Sequence, residues 1–455
     1  MKLRKLEIVS AIFIAFYPLS SLAVIDGWAT SRINARSAAM QLGYSGLIDP
    51  FNIWVNPALI NNYPNQADIE LGTNDLSINS NSSANANDSI QRSTQMGGAN
   101  IATRTGVVGL YIGRQYRDGF HSGIGTMGDT VASGQNSLGF GSNLNIKAPH
   151  NKFDLFYGLD FGKMLFGARV NYSSLVNETN VNDNQSISTS SSLDASEFNL
   201  SLGLAFKNSP FDIAVTLGKP SLGAKNVNYK TSIQQTIESK GAWNLGVAAR
   251  GRFLRTENSF LLAFASYSIE NNSSKFNNNI STPINAVRTD KTKSYVVSGA
   301  FHYMPSENSL VVTQLGITSN SATTDMNRSV QSGDSTTTNE LEVKDSTYTV
   351  PLTIAFETKV SGKFTVRGSA YKLLLAPKKS KISSKATNQP VSTSDTKVAE
   401  DESTVTLAMG LRYDLLSNLF IDAVINQDVL FTGTYLLSGV RDTLSSRLSL
   451  IYDFN

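Results

Sequence analysis

Leu444-Ser445-Ser446-Arg447-Leu448-Ser449-Leu450-Ile451-Tyr452-Asp453-Phe454 is the stretch whose reading decides the fold. Leu444, Ser446, Leu448, Leu450, Tyr452 and Phe454 alternate with Ser445, Arg447, Ser449 and Asp453, and only Ile451 breaks the rule. Side chains of a strand point to opposite faces in turn, so this segment has one apolar and one polar face. A closing strand of this type, behind an export signal, predicts a membrane barrel.

The same alternation recurs upstream. Phe153, Leu155, Tyr157, Leu159 and Phe161 follow it, as do Phe166 to Tyr172, Phe198 to Phe206, Phe211 to Leu217, Trp243 to Val247, Tyr348 to Phe356 and Val405 to Tyr413. Each apolar segment is near ten residues, half of what a spanning helix needs and what a tilted barrel strand needs. A secreted, water-soluble β-protein could carry such strands too. The connections separate the two readings, because they alternate in length. Tight turns such as Gly162-Lys163, Thr256-Glu257 and Ser361-Gly362-Lys363 take turns with polar stretches at 177–194, 220–241, 271–291, 320–345, 377–402 and 428–443. Short turns at one end and long loops at the other are the pattern of outer-membrane barrels. The polar stretches are expected to be mobile loops, Asn79 to Ser83 and Ser335 to Asn339 among them. Thirteen strands are counted from Lys152 onward. An up-and-down barrel with both ends on one side needs an even number, so one or three more come from 67–78, 96–103 and 106–114. The expectation is all-β: a transmembrane antiparallel up-and-down barrel of 14 or 16 strands, at 66–455, with an N-terminal, partly helical plug. The stretch 116–150 is Gly-rich and stays unassigned.

Residues 1–23 read as a signal peptide. Lys2, Arg4 and Lys5 precede an apolar run to Leu19, and Ser21-Leu22-Ala23 fits small-x-small cleavage. A single membrane anchor is the alternative. The chain has 455 residues, 16% of them charged, and a formal net charge of +3, which points to no nucleic-acid partner. There is no Cys, so disulfides, thiolate metal sites and a Cys nucleophile are excluded.

Residues 24–65 do not alternate. The segment 32–47 is rich in Ala, Ser and Met and is expected to be helical in part. Pro57 suits the first turn of a further short helix, with Asn56 as its cap. The run Ala35-Arg36-Ser37-Ala38-Ala39-Met40, then Gly43, Gly46, Asp49 and Asn56-Pro57-Ala58, resembles the start of FadL-type and PorV-type outer-membrane proteins. It departs from them at Ala58-Leu59, where Ala-Gly is common. The resemblance implies a hatch that plugs a 14-stranded barrel, with Asn56, Pro57 and Ala58 as its motif. It also implies transport of fatty acids or other hydrophobic small molecules or, for PorV relatives, handling of a secreted protein.

His121, His150 and His302 show no metal-ligand spacing, and no Ser or Asp motif supplies a nucleophile with its base. Neither an enzyme nor a cofactor is expected. Asp154, Asp160, Arg169, Arg250, Arg252, Glu357, Arg367, Arg412, Asp422 and Arg447 fall on polar faces and are expected in the lumen, as a salt-bridged hold on a plug or as a selectivity ring. Lys378, Lys379, Lys381 and Lys385 read as a solvated loop whose charge Glu400, Asp401 and Glu402 would offset, with contact to anionic lipopolysaccharide as the alternative. The expected location is the outer membrane of a Gram-negative-type bacterium. A general porin remains the third reading.

Overall fold

The computed structural model describes residues 34–73, 93–115, 150–183, 186–207, 211–229, 233–239, 242–278, 284–332, 335–386, 391–400, 405–428 and 445–454. The expected signal peptide and most of the Gly-rich stretch lie outside them. The strands are β1 (Gln66–Thr73), β2 (Ser93–Ala102), β3 (Val107–Gln115), β4 (His150–Asp160), β5 (Met164–Asp183), β6 (Ser186–Phe206), β7 (Phe211–Asn228), β8 (Ile233–Ser239) and β9 (Asn244–Phe253). They continue as β10 (Ser259–Asn278), β11 (Ile284–Ser306), β12 (Ser309–Ser332), β13 (Ser335–Lys359), β14 (Phe364–Ala386), β15 (Ser392–Glu400), β16 (Val405–Leu416), β17 (Leu419–Asp428) and β18 (Ser445–Asp453).

All pairings are antiparallel, and β1 pairs with both β2 and β18, so the sheet closes on itself. β8 and β9 both lie between β7 and β10, and β15 and β16 both pair with β14. Each of these two pairs is one interrupted stave, which gives a transmembrane barrel of sixteen strands. The number is sixteen, not the fourteen that the family resemblance implies, because all three candidate segments before residue 116 join the sheet. No helix among the described residues is long and apolar enough to cross a membrane.

Alternation sets the two faces. In β4, Phe153, Leu155 and Tyr157 are exposed outward while Asp154 and Phe156 are buried inward. In β18, Leu448 and Tyr452 face out and Ser449 faces in. Ile451, the break in the pattern, is buried on the inner side. The outer apolar surface is stable only against hydrocarbon, and Phe153, Tyr172 and Phe198, directly opposite one another on β4, β5 and β6, edge it with rings.

The polar stretches between 177 and 402 that were expected as mobile loops are mostly strand, whereas 429–443 lies outside the described residues. β5 and β6 pair from Met164/Phe206 to Asp183/Ser186, and β12 and β13 from Ser309/Thr358 to Ser332/Ser335. Ser335 to Asn339 lies in β13, whereas Asn79 to Ser83 lies outside the described residues. The physical reason is that ladder hydrogen bonds need no apolar face, and Thr and Val favour extended backbone. β13 has 25 residues where a span needs roughly 11, so its hairpins stand on the order of 40 Å beyond the membrane.

The segment 34–65 forms α1 (Ala35–Met40) and 3-10 turns at Pro50–Trp54 and Pro57–Asn62. The second turn contacts β3 to β6, and α1 contacts β13, β14 and β16 to β18. These are different sectors of a closed wall, so the segment lies inside it. The helix is shorter than the composition of 32–47 suggests: Asn34 caps it by accepting from Ser37 N, and Gln41 ends it in the left-handed region.

Candidate functional site

Three polar side chains shape the inner segment, each by capping a helical turn. Asn34 caps α1 and also donates to Asp49 Oδ1 at 2.6 Å. Asp49 caps the first 3-10 turn through Phe51 N. Asn56 caps the second, accepting from Ala58 N at 3.1 Å, while its Nδ2 donates to Leu204 O and to Asp212 Oδ1. One asparagine thus starts a turn and fastens it to β6 and β7.

Pro57 stands at the start of that turn, where a missing N–H costs nothing. Ala58 is fully buried against the wall. The wall is shaped for it: Gly158, Gly167, Gly203, Ala214 and Ala248 are directly opposite one another across β4, β5, β6, β7 and β9. A Cβ at Gly167 would come within 2.2 Å of Ala58 N, and one at Gly203 within 2.0 Å of Asn56 Oδ1. This row of small residues is what lets backbone lie on backbone, and the sequence reading missed it. Its signal was present, as a Gly or Ala at a fixed inward position in five successive staves.

Apolar packing fills the space beside the row. Trp54 meets Tyr111 and Phe156 edge-on at ring separations of 4.9 and 4.8 Å. Phe51, Ile53, Leu59 and Ile60 join the same cluster with Met96, Phe264 and Val296 from the inner wall. Met40, Leu42 and Leu47 pack on Leu262, Ala300, Val312 and Ala355. Trp54→Ala is expected to cost about 3–5 kcal/mol through the cavity it leaves. The check is the urea unfolding midpoint in detergent; an unchanged midpoint would contradict this packing.

The charges form three clamps. Arg169 pairs with Asp154 at 2.8 Å, donates to Trp54 O at 3.0 Å and lies over the Trp54 ring. Arg250 pairs with Asp212 at 3.0 Å, donates to Tyr44 O and Leu47 O, and lies 4.0 Å from the Tyr44 ring centroid. Tyr44 donates its hydroxyl to Asp212. Burial, with the Asp212 carboxylate beside it, raises the Tyr44 phenol well above its ordinary range, so it stays a donor. In the third clamp Arg36 grips Glu357 through Nε and Nη2 at 2.8 and 2.9 Å and also binds Asp49. Arg367 binds both Glu357 and Asp422. Ser449 accepts from Ala35 N, and Ser369 donates to Ala39 O.

Of the ten charges read from the sequence, Asp154, Arg169, Arg250, Glu357, Arg367 and Asp422 belong to these clamps. Asp160, Arg252 and Arg412 instead lie at the turn end of the barrel. Asp160 pairs there with Lys207, Arg252 is exposed near the Phe260 ring, and Arg412 binds Asp414 over Phe420. The side chain of Arg447 lies outside the described residues. Asp212 was missed although it shares the polar parity of its strand, between Phe211 and Ile213. His302 is buried and stacked on Phe260 at 4.3 Å. Among the described residues no cluster of His, Asp or Glu could hold a metal ion.

A groove of about 640 Å³ lies along the wall at β1 to β5. Ile69, Leu71, Ile112, Phe153 and Tyr172 line it from the outer face, while Met96 and Lys152 reach it from the inner face beside Gly97 and Gly113.

No family model matches the chain, and no curated protein matches it. Among solved structures, the Pseudomonas putida toluene transporter TodX aligns with a TM-score of 0.41 at 12% identity, over 92% of this chain and 96% of that one. The CymD monoaromatic hydrocarbon channel gives 0.39 at 8% identity, over 93% and 98%. CdiB from Acinetobacter baumannii gives 0.34 at 10% identity, over 86% and 59%. The architecture described above rests on this chain's own strand order and register.

Proposed function

We propose that the protein is a FadL-like outer-membrane transport protein that passes hydrophobic small molecules, fatty acids or hydrocarbons, with residues 24–65 as its hatch. The observation that carries this is an inner wall lined with apolar side chains. A general porin keeps a polar, water-filled lumen, whereas here Phe156, Phe264, Leu262, Val296 and Val312 face inward and pack on the N-terminal segment. Hydrocarbon is also the cargo of TodX and CymD. No catalytic role accompanies this reading.

The tall hairpins of β5 to β14 favour a second reading, a PorV-like surface that holds a secreted protein. One experiment separates the two. The protein is purified from outer membranes in mild detergent, its bound molecules are identified by mass spectrometry, and its conductance is recorded in planar bilayers. The transport reading expects a stoichiometric fatty acid or hydrocarbon and conductance far below that of an open barrel. Large steady conductance without ligand would overturn it in favour of a porin, and a stoichiometric secreted protein in favour of the surface role.

A further inference from the structure

The outer face carries a lattice of lysines just beyond its apolar belt. On β11, Lys293 and Lys291 follow outward-facing Tyr295 at every second position. On β13, Lys344 lies four residues beyond Tyr348. On β14 the order is Leu375, Pro377, Lys379, Lys381. A register shift at Val350/Pro351 flips the faces of β14, so that Ala376 is buried and Leu375 is exposed. Lys379, Lys381 and Lys385 therefore face outward with Leu375, and Lys378 faces the other way.

Register aligns these lysines across strands. Lys291, Thr323, Lys344 and Lys381 are directly opposite one another on β11, β12, β13 and β14. The adjacent row, nearer the belt, is Lys293, Ser321, Ser346 and Lys379. Five ammonium groups and three hydroxyls, all hydrogen-bond donors, thus share one patch. The acids nearest it are Glu342, one row outward and bound to Lys344 at 2.5 Å, and Asp395, opposite Lys381, with Glu340 farther out opposite Lys385. Asp325 lies opposite Glu342 in the next row outward, beyond the lysines. Lys344 and Lys381 face each other directly, an arrangement that disfavours the bare strand pair and favours an anion between them. On β6 the residues past Phe198 are Ser196 and Asp194, and on β7 Lys219 and Lys225 stand six positions apart, so the aligned rows of lysines belong to β11, β13 and β14.

We propose that this lattice binds the phosphate groups of a phosphorylated glycolipid of the outer leaflet, a lipopolysaccharide, whose acyl chains lie along the belt below. The occupant follows from position and charge. A molecule seated there needs an apolar tail on Tyr295, Tyr348 and Leu375 and an anionic head at the row of Lys293 and Lys379. The proposal rests on the membrane placement given above, with the tight turns periplasmic and the tall hairpins facing outward as in outer-membrane barrels.

The test uses the full chain, reconstituted in vesicles of zwitterionic lipid containing purified lipopolysaccharide. Retention of the glycolipid through detergent extraction is measured for the native protein and for a variant with Lys291, Lys293, Lys344, Lys379 and Lys381 each changed to Gln. The variant is expected to retain about tenfold less or lower, and dephosphorylated lipopolysaccharide is expected to be lost from the native protein as well. Equal retention by both proteins, or undiminished retention of the dephosphorylated lipid, would overturn the proposal. Should the full variant fail to fold, the pair Lys293→Gln and Lys379→Gln and the dephosphorylated arm still decide. A native protein that inserts but shows no headgroup preference sinks this inference alone, whereas one that does not insert sinks the transport reading with it.

Discussion

Gly167→Val is expected to open the barrel. A Cβ on Gly167 would sit 2.2 Å from Ala58 N and from Pro57 C and O. These are backbone atoms of a turn held by Asn56 to Leu204 O and Asp212, so no side-chain rotation relieves the clash. Either the strand yields or the turn leaves. The strand is tied on both sides, with Gly158 and Gly203 opposite, and Val suits extended backbone. The turn is therefore the part that moves. Overpacking of this sort costs about 1–3 kcal/mol, enough to loosen the segment without unfolding the wall. The expected result is a rise in the open-state population, read as mean conductance per inserted protein, of roughly tenfold, the factor that follows from losing about 1.4 kcal/mol of hold on a closed state. The barrel should keep its heat-modifiable mobility on electrophoresis. Conductance equal to that of the native chain, with the variant folded, would show that Ala58 does not lie against β5.

How far the molecule was legible in its sequence depends on which physical signal each part leaves. The outward strands were legible because lipid demands an apolar residue at every second position, and Phe153 to Phe161 or Val405 to Tyr413 carry that demand without a gap. The hairpin tops were not. Ser186 to Ala195 and Ser335 to Asp345 pair as strands in water, where neither face needs to be apolar, so the period of two disappears while the ladder continues. The Asn-Pro-Ala turn was legible as a cap, since Asn56 and Pro57 act locally. Its landing site was not, because Gly158, Gly167 and Gly203 are far apart in the chain and become a row only through register. Ile451 shows the same limit from the other side. It reads as an error in the strand pattern, yet it is buried on the inner face, so the inner wall is not uniformly polar. The polar parity of Asp154, Arg169, Arg250, Glu357, Arg367 and Asp422 was legible in the strand pattern. Their partners were not, since Arg169 and Arg250 spend donors on the carbonyls of Trp54, Tyr44 and Leu47, which no side-chain pattern reveals.

The two ends of the Glu357 clamp should respond differently to mutation. Arg367 is almost fully buried between Glu357 and Asp422, and Asp422 is buried as deeply. Arg367→Met leaves the Asp422 carboxylate without that cation in a place water does not reach. Removing one partner of such a pair costs about 3–5 kcal/mol, and the expected result is a clearly lower unfolding midpoint in detergent. Arg36 binds the same Glu357 from the N-terminal segment but is one-fifth exposed, and Glu357 keeps Arg367 when Arg36 is gone. Arg36→Met should therefore spare the barrel's midpoint and instead expose the segment around Ala35–Met40 to protease. A third variant tests the cause. Replacing Arg367 and Asp422 together by Met removes both charges, and a buried pair exchanged for apolar groups of similar volume is often neutral. The double variant should recover most of the stability lost by Arg367→Met. If it does not, the loss comes from packing around Arg367 and not from an orphaned carboxylate, and the clamp would then be a matter of shape more than of charge.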